Sequence, residues 1–273
     1  MAELFSYSFF IYALVGVVLL SIAAAVIGTY IITRRLVAIS GGVTHACFGG
    51  LGLGYYLGID PIAMAAVFAV GSSVGVEWVS RRFDVREDSA IAVIWAIGMA
   101  VGVLFVFLTP GYVPELNAFL FGSILTVTPA DLVLFAVYTA ALLLFFARRY
   151  RQIVACAFDR DFAQVCGLPV NYITYAMTIL VALGIVLIIK MVGVMLLMAM
   201  LSLPMMTAEI FWRRYGSMMA VSAVISLLTS VGGLMLGAVV NVPCSAIIVL
   251  LACAVFIVAR VAASLRHRLV KNN

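Results

Sequence analysis

The sequence predicts an all-α integral membrane protein, and three observations carry that prediction. Hydrophobic residues fill 66% of the 273 positions and charged residues only 10%, whereas a soluble domain carries about 25% charged residues. Apolar runs long enough to cross a bilayer, roughly 20 residues each, recur along the whole chain, and the mean hydropathy is +1.27. Basic residues cluster at the ends of those runs: Arg34-Arg35, Arg81-Arg82, Arg148-Arg149-Tyr150-Arg151, Arg213-Arg214 and the stretch 260–271. In lipid each spanning segment must satisfy its own backbone polar groups, so runs of this length are read as helices.

Setting the basic clusters on the cytoplasmic side orders the elements. A first helix over about residues 8–32 ends at Arg34-Arg35, and no Lys or Arg precedes it. It is therefore expected to insert uncleaved, with the N-terminus outside. The second helix covers about residues 43–57 and emerges through residues 58–61; the third covers 62–80 and is closed by Arg81-Arg82. The segment RRFDVRED leads into a fourth helix over 89–108, followed by an outer loop, TPGYVPE. Residues 115–125 are apolar but too short to cross, and are expected to fold back as a re-entrant helix in the outer face. Thr128-Pro129-Ala130-Asp131 is a helix start: Thr as cap, Pro in the first turn, an acid three residues on. The fifth helix then runs to about residue 147.

After a polar segment at 150–170, the sixth helix spans about 171–189, with Lys190 at its outer end. The seventh spans 191–211 and carries Pro204; the eighth spans 217–240; the ninth starts at Pro243 and ends before the basic stretch 260–271. About nine transmembrane helices result, with the C-terminus cytoplasmic and Lys190 the one basic residue on the outer side. No linker, low-complexity stretch or internal repeat divides the chain, so residues 1–273 are expected to form a single transmembrane domain. The net charge of +5 sits in loops and tail and speaks of orientation, not of nucleic acid. Five cysteines show no CxxC spacing, which argues against a disulfide framework or a zinc finger.

One stretch organises the rest: SGGVTHACFGGLGLGYYLG, residues 40–58. At helical spacing Gly42, Ala46, Gly50, Gly54 and Gly58 form one row, a surface of small residues on which another helix can pack closely in lipid. The adjacent row is Gly41, His45, Gly49, Leu53. His45 thus projects with no side chain one turn above or below it, which predicts open space around an imidazole at membrane depth. A buried neutral imidazole can bind a metal ion, and an ionisable group inside the membrane is a functional hypothesis by default. A histidine hydrogen-bonded to a neighbouring carbonyl is the alternative. One imidazole cannot hold a divalent cation alone, since zinc sites take about three or four protein ligands.

Other chemistry-bearing residues are read more plainly. Met191, Met195 and Met198, then Met205 and Met206, offer thioethers, which suit soft ions but also fill apolar cores; packing is the expectation. Trp95 and Met99 share a face of the fourth helix, again read as packing. Glu77 and Glu209 each stand one turn before an arginine, Arg81 and Arg213, and are read as intrahelical pairs. Tyr55 and Tyr56 are expected to anchor the outer interface. AFDRDFAQVCGLP, residues 157–169, reads as a short amphipathic helix with Phe158, Phe162 and Val165 on one side, stopped by Gly-Leu-Pro. Exposed aromatics there are expected to mark a docking surface. There is no GxxxxGK[ST] phosphate loop, no GxSxG and no HExxH. The chain is therefore expected to be no enzyme and to have no ATP site of its own.

Four stretches, SGGVTHACFGGLGLGYYLG (40–58), AFLFGSILTVTPADL (118–132), FDRDFAQVCGLPV (158–170) and KMVGVMLLMAMLSLPMMTA (190–208), together resemble the permease subunit of bacterial ABC importers for zinc, manganese or iron(II). The resemblance implies a permease domain spanning 1–273 in the bacterial plasma membrane, surrounded by lipid, with no permanently bound cofactor and a divalent metal ion as cargo. It implies a homodimer, two cytoplasmic ATP-binding cassette subunits and an extracytoplasmic metal-binding protein, and no nucleic acid. It implies that residues 158–167, with Phe158, Asp161, Phe162 and Gly167, form the coupling helix seated in the ATPase. The family's second helix reads Ser-Asp-x-x-x-His-Ala, its Asp and His lining the metal path. Ser40, His45 and Ala46 match, but Gly41 stands at the Asp position. That leaves His45 as the carried-over metal residue, with Gly41, Gly49 and Met99 expected along the path. A nitrogen donor without a carboxylate leans toward zinc over manganese. The alternatives are an ion-coupled secondary metal carrier or channel, an ABC permease for metal chelates, and an intramembrane enzyme. The second of these typically has longer permeases, the first requires paired mid-helix acids, and the third a nucleophile–base pair or a multi-ligand metal site, against which the lone His45 argues.

Overall fold

The computed structural model describes residues 7–110, 122 and 124–271. The chain is helical: α1 (Ser8–Thr33), α2 (Val37–Leu57), α3 (Pro61–Phe83), α4 (Glu87–Leu108), a 3-10 turn (Ile124–Thr126), α5 (Pro129–Phe158), α6 (Arg160–Val165), α7 (Val170–Phe211), α8 (Tyr215–Val240) and α9 (Cys244–Lys271). Among the described residues eight helices, all but α6, are long and apolar enough to cross a membrane. Of these eight, α7 is 42 residues long and consists of two helical stretches parted at Gly193 (φ 79°, ψ 171°), where the sequence reading has two separate helices. A straight helix of that length would measure about 63 Å, twice the roughly 30 Å hydrocarbon layer. The re-entrant helix expected at 115–125 lies mostly outside the described residues.

Three boundaries differ from the sequence reading, each for a physical reason. Helix α2 starts at Val37 rather than at about 43, because Gly41 and Gly42, weak helix formers in isolation, are held in the helix by packing. A Cβ at Gly42 would lie 2.5 Å from Ile91 Cγ2 of α4. Helices α5 and α9 run on through their basic clusters to Phe158 and Lys271. Arg, Lys and Gln are good helix formers, so a helix leaving the bilayer need not stop there. The start of α5 agrees with expectation: Thr128 Oγ1 donates to Asp131 Oδ2 at 2.6 Å and accepts from the Asp131 N–H at 3.2 Å. All five cysteines are free.

The chain forms two compact units, one of residues 1–32, 121–143 and 191–273, the other of 33–120 and 144–190; α5 and α7 contribute to both. In the first unit Gly28 of α1 lies directly on the backbone of Leu201, and Thr29 Oγ1 approaches Met205 Sδ at 3.4 Å. Gly233 of α8 packs on α9, where a Cβ would stand 2.7 Å from Ile248 Cα. The methionine row behaves as expected at Met191 and Met205, both buried, while Met195 and Met206 are exposed.

The second unit is built around α2. Its hydropathy, 1.2, is the lowest of the eight, yet 78% of its spanning window is buried, the highest share. A helix this poor in apolar bulk stays in the membrane by facing protein. Its hydroxyls bond within the helix, Ser40 Oγ to Val37 O at 2.7 Å and Thr44 Oγ1 to Ser40 O at 2.6 Å.

Candidate functional site

The small-residue row of α2 meets two helices. Toward α4, a Cβ at Gly98 would lie 2.5 Å from the Cα of Ala46, and one at Gly52 would lie 2.5 Å from the carbonyl oxygen of Gly102. Toward α3, a Cβ at Gly50 would stand 2.5 Å from Met64 O, and one at Gly54 would stand 2.8 Å from Pro61 Cα. Gly42, Ala46, Gly50 and Gly54 therefore do pack helices. Gly58 does not: it is the exposed residue ending α2, with φ 68°, and a Cβ there would touch nothing within 4 Å. Gly98 and Gly102, spaced as a GxxxG pair on α4, complete the crossing and were not singled out from sequence.

This crossing places His45. The expected open space beside the imidazole is filled, because α4 comes close enough to insert two side chains. Trp95 stacks on the ring at 4.4 Å between centroids and 8° between planes, and Met99 Sδ lies 3.2 Å from Nδ1. The site is thus a half-buried imidazole against an indole face, with a thioether at one ring nitrogen. When Nδ1 carries the proton and donates it to the sulfur, Nε2 keeps its lone pair for an incoming cation. Gly49 does not face an opening either: a Cβ there would meet Gly98 O at 2.8 Å and the Phe68 ring at 3.2 Å. Gly41 is buried in α2. Trp95 and Met99, one turn apart on α4, were legible as a shared face; what sequence could not show is that the face meets His45. Among the described residues no group of three or more His, Cys, Asp or Glu side chains could hold a metal ion.

Within the segment 157–169 a short helix, α6, covers Arg160–Val165, while Phe158, expected in it, is the last residue of α5. Asp159 caps α6, its Oδ1 accepting from the Phe162 N–H at 2.9 Å. Gly167, with φ 74°, ends it: the Leu168 N–H donates to Ala163 O at 3.1 Å and the Gly167 N–H to Gln164 O at 3.0 Å. This reversal needs the left-handed conformation that glycine adopts without strain. Ala163 is buried, while Phe158 is 60%, Phe162 63% and Val165 87% exposed. Asp161 is exposed too.

Glu77 is more than half of an intrahelical pair. It is 4% exposed, and besides Arg81 it contacts Arg34 at 3.6 Å and Arg160 at 3.1 Å. Arg34 also bonds Glu87 at 3.1 Å. The available signal was an acid between the apolar residues Val76 and Trp78; the partners lie 43 residues before and 83 after it, beyond any local pattern.

The eight long apolar helices among the described residues make the chain a multi-pass membrane protein. It belongs to the ABC 3 transport family, whose model matches residues 6–263. A membrane protein of Synechocystis is 35% identical over 94% of this chain and 92% of its own length. The manganese transport system membrane protein MntC of Halalkalibacterium halodurans is 30% identical over 94% of this chain and 88% of its own. Among solved structures, PsaBC from Streptococcus pneumoniae in complex with a Fab matches with a TM-score of 0.82 at 28% identity, over 94% of this chain and 93% of that one.

Proposed function

We propose that this chain is the membrane-spanning permease subunit of an ATP-driven importer for a divalent transition-metal ion, zinc first, with manganese and iron(II) as alternatives. The observation that carries the proposal is the meeting of His45 and Met99 across the α2–α4 crossing, in a chain of the ABC 3 transport family. A bare cation in hydrocarbon costs tens of kcal/mol, so passage requires protein donors that replace water briefly. An imidazole Nε2, its ring oriented by the Met99 thioether at Nδ1, does this without a carboxylate, and a nitrogen donor favours zinc over manganese. One donor falls short of the four zinc prefers; water or backbone oxygens would complete the set, and a weak hold suits a transit site. The name of the Halalkalibacterium relative supports a transition-metal cargo.

Helix α6 supports the rest of the reading. Its cap, its glycine stop and its exposed Phe162 and Val165, with the exposed Phe158 at the end of α5, suit a rigid foot for a separate cytoplasmic ATP-binding cassette subunit. In this reading residues 1–273 act as one permease domain, N-terminus outside, paired with a second copy in the plasma membrane and fed by an extracytoplasmic metal-binding protein. An ion-coupled carrier would need titratable acids at membrane depth; Glu77 is committed to three arginines instead.

The test is the complete transporter in proteoliposomes, with zinc, manganese and iron(II) compared for uptake and for stimulated ATP hydrolysis. Zinc is expected to give the largest response, and His45→Ala to slow its uptake about tenfold or more with assembly unchanged. Uptake that persists without an ATPase partner, or a His45→Ala variant that transports at the wild-type rate, would sink this reading.

A further inference from the structure

We propose that Glu77 is the pivot through which α6 moves the helices that carry His45 and Met99; this rests on the function proposed above. The inference starts from where the partners of this one carboxylate sit. Arg160 is the first residue of α6. Arg34 lies three residues before the start of α2 and also holds Glu87, the first residue of α4. Arg81, one turn along α3, bonds Asn171 at the start of α7, and its guanidinium lies 4.9 Å over the ring of Tyr175. A single buried carboxylate therefore joins the ends of α2, α3, α4, α6 and α7.

The cluster exceeds what charge neutralisation requires. Arg81, at i+4, would suffice to pair Glu77 within its own helix. Arg160 adds nothing to the folding of α3, but it fastens α6 to it. Three arginines and two glutamates leave a net charge of +1 in the cluster. Charge-assisted bonds of guanidinium to carboxylate are short and directional, and parting a buried pair leaves an uncompensated charge. When α6 is displaced, moving the attached helices is cheaper than stretching these bonds.

The displaced helices are those that build the His45 site. Helix α3 bears on α2 backbone to backbone at Gly50 and Gly54, and α4 bears on it at Ala46. No flexible side chain cushions either contact, so a shift of α3 or α4 is passed on to α2. Along one branch the path runs from Arg160 through Glu77 and α3 to His45. Along the other it runs from Glu77 through Arg34 and Glu87 to α4, with Trp95 and Met99. Glu77 is a positioning residue in this scheme and touches no cargo.

The readout is the amount of zinc moved per ATP hydrolysed by the complete transporter in proteoliposomes, a ratio that a loss of folded protein leaves unchanged. Glu77→Gln keeps the shape and removes the charge. Arg160→Gln is the second variant, because it leaves Glu77 paired with Arg34 and Arg81 and so spares the fold. Both are expected to lower the ratio about tenfold, a typical coupling between sites. The double variant should be no worse than the worse single, since both break the same link, and Glu77→Asp should recover part of the ratio. A ratio within about twofold of wild type in both single variants, even at reduced yield, would overturn the proposal and leave Glu77 a structural residue. If the wild-type transporter moves no metal, the functional reading falls and takes this one with it; if it transports and the variants match it, this inference alone fails.

Discussion

Gly98→Ala asks whether the α2–α4 crossing sets the His45 site. A Cβ at Gly98 would stand 2.5 Å from Ala46 Cα and 3.1 Å from the carbonyl oxygen of His45. Carbon atoms rest at about 3.5–4.0 Å, so the helices must part by about 1 Å here. A rigid shift of that size carries the 3.2 Å approach of His45 Nδ1 to Met99 Sδ out to about 4 Å, at the limit of hydrogen bonding to sulfur. Overpacking of this kind costs about 1–3 kcal/mol. The control is Gly71→Ala on α3, where a Cβ would meet nothing within 4 Å and the change gains about 0.5–1 kcal/mol of helix stability. Thermal melting of the purified protein and zinc-stimulated ATP hydrolysis of the reconstituted transporter are the assays. Gly98→Ala is expected to melt several degrees lower and to lose most of its zinc response, while Gly71→Ala melts no lower than wild type. The reasoning fails if Gly98→Ala melts and responds like Gly71→Ala.

Two further outcomes follow from local geometry. Asp159→Ala removes the acceptor of the Phe162 N–H, at a cost of about 1 kcal/mol, and a helix of six residues has no length to absorb it. Hydrogen exchange over residues 160–165 should quicken and Asp159→Asn should restore it; unchanged exchange would show that the cap is dispensable. Gly193→Ala forces a side chain into φ 79°, ψ 171°, a region closed to other residues at about 1–3 kcal/mol. Its melting temperature should fall by several degrees, and a melt equal to wild type would mean the break can relax.

Much of this molecule is legible along the chain because its signals are local. Thr128 and Asp131 mark the start of α5 three residues apart, and Asp159 and Gly167 bracket α6 over nine residues. Where the signal was also local but its meaning was not, sequence reading stopped short. Arg148-Arg149 marks where α5 meets polar surroundings, which is not where its hydrogen bonding ends. Lys190 divides the apolar stretch in the sequence reading, whereas the backbone breaks three residues further on, at Gly193.

The sequence alone determined that the chain is a helical membrane protein, that α2 presents a face of small residues, and that His45 shares that helix. Those properties follow from hydropathy and from the 3.6-residue period, which act within one helix. Tertiary structure alone decided what meets the face. It brought Trp95 and Met99 into the space beside His45, and it drew Arg34 and Arg160 onto Glu77 from far along the chain. The reason is physical: a row of glycines states that something can come close, and only the packed neighbour's own surface settles which atoms do.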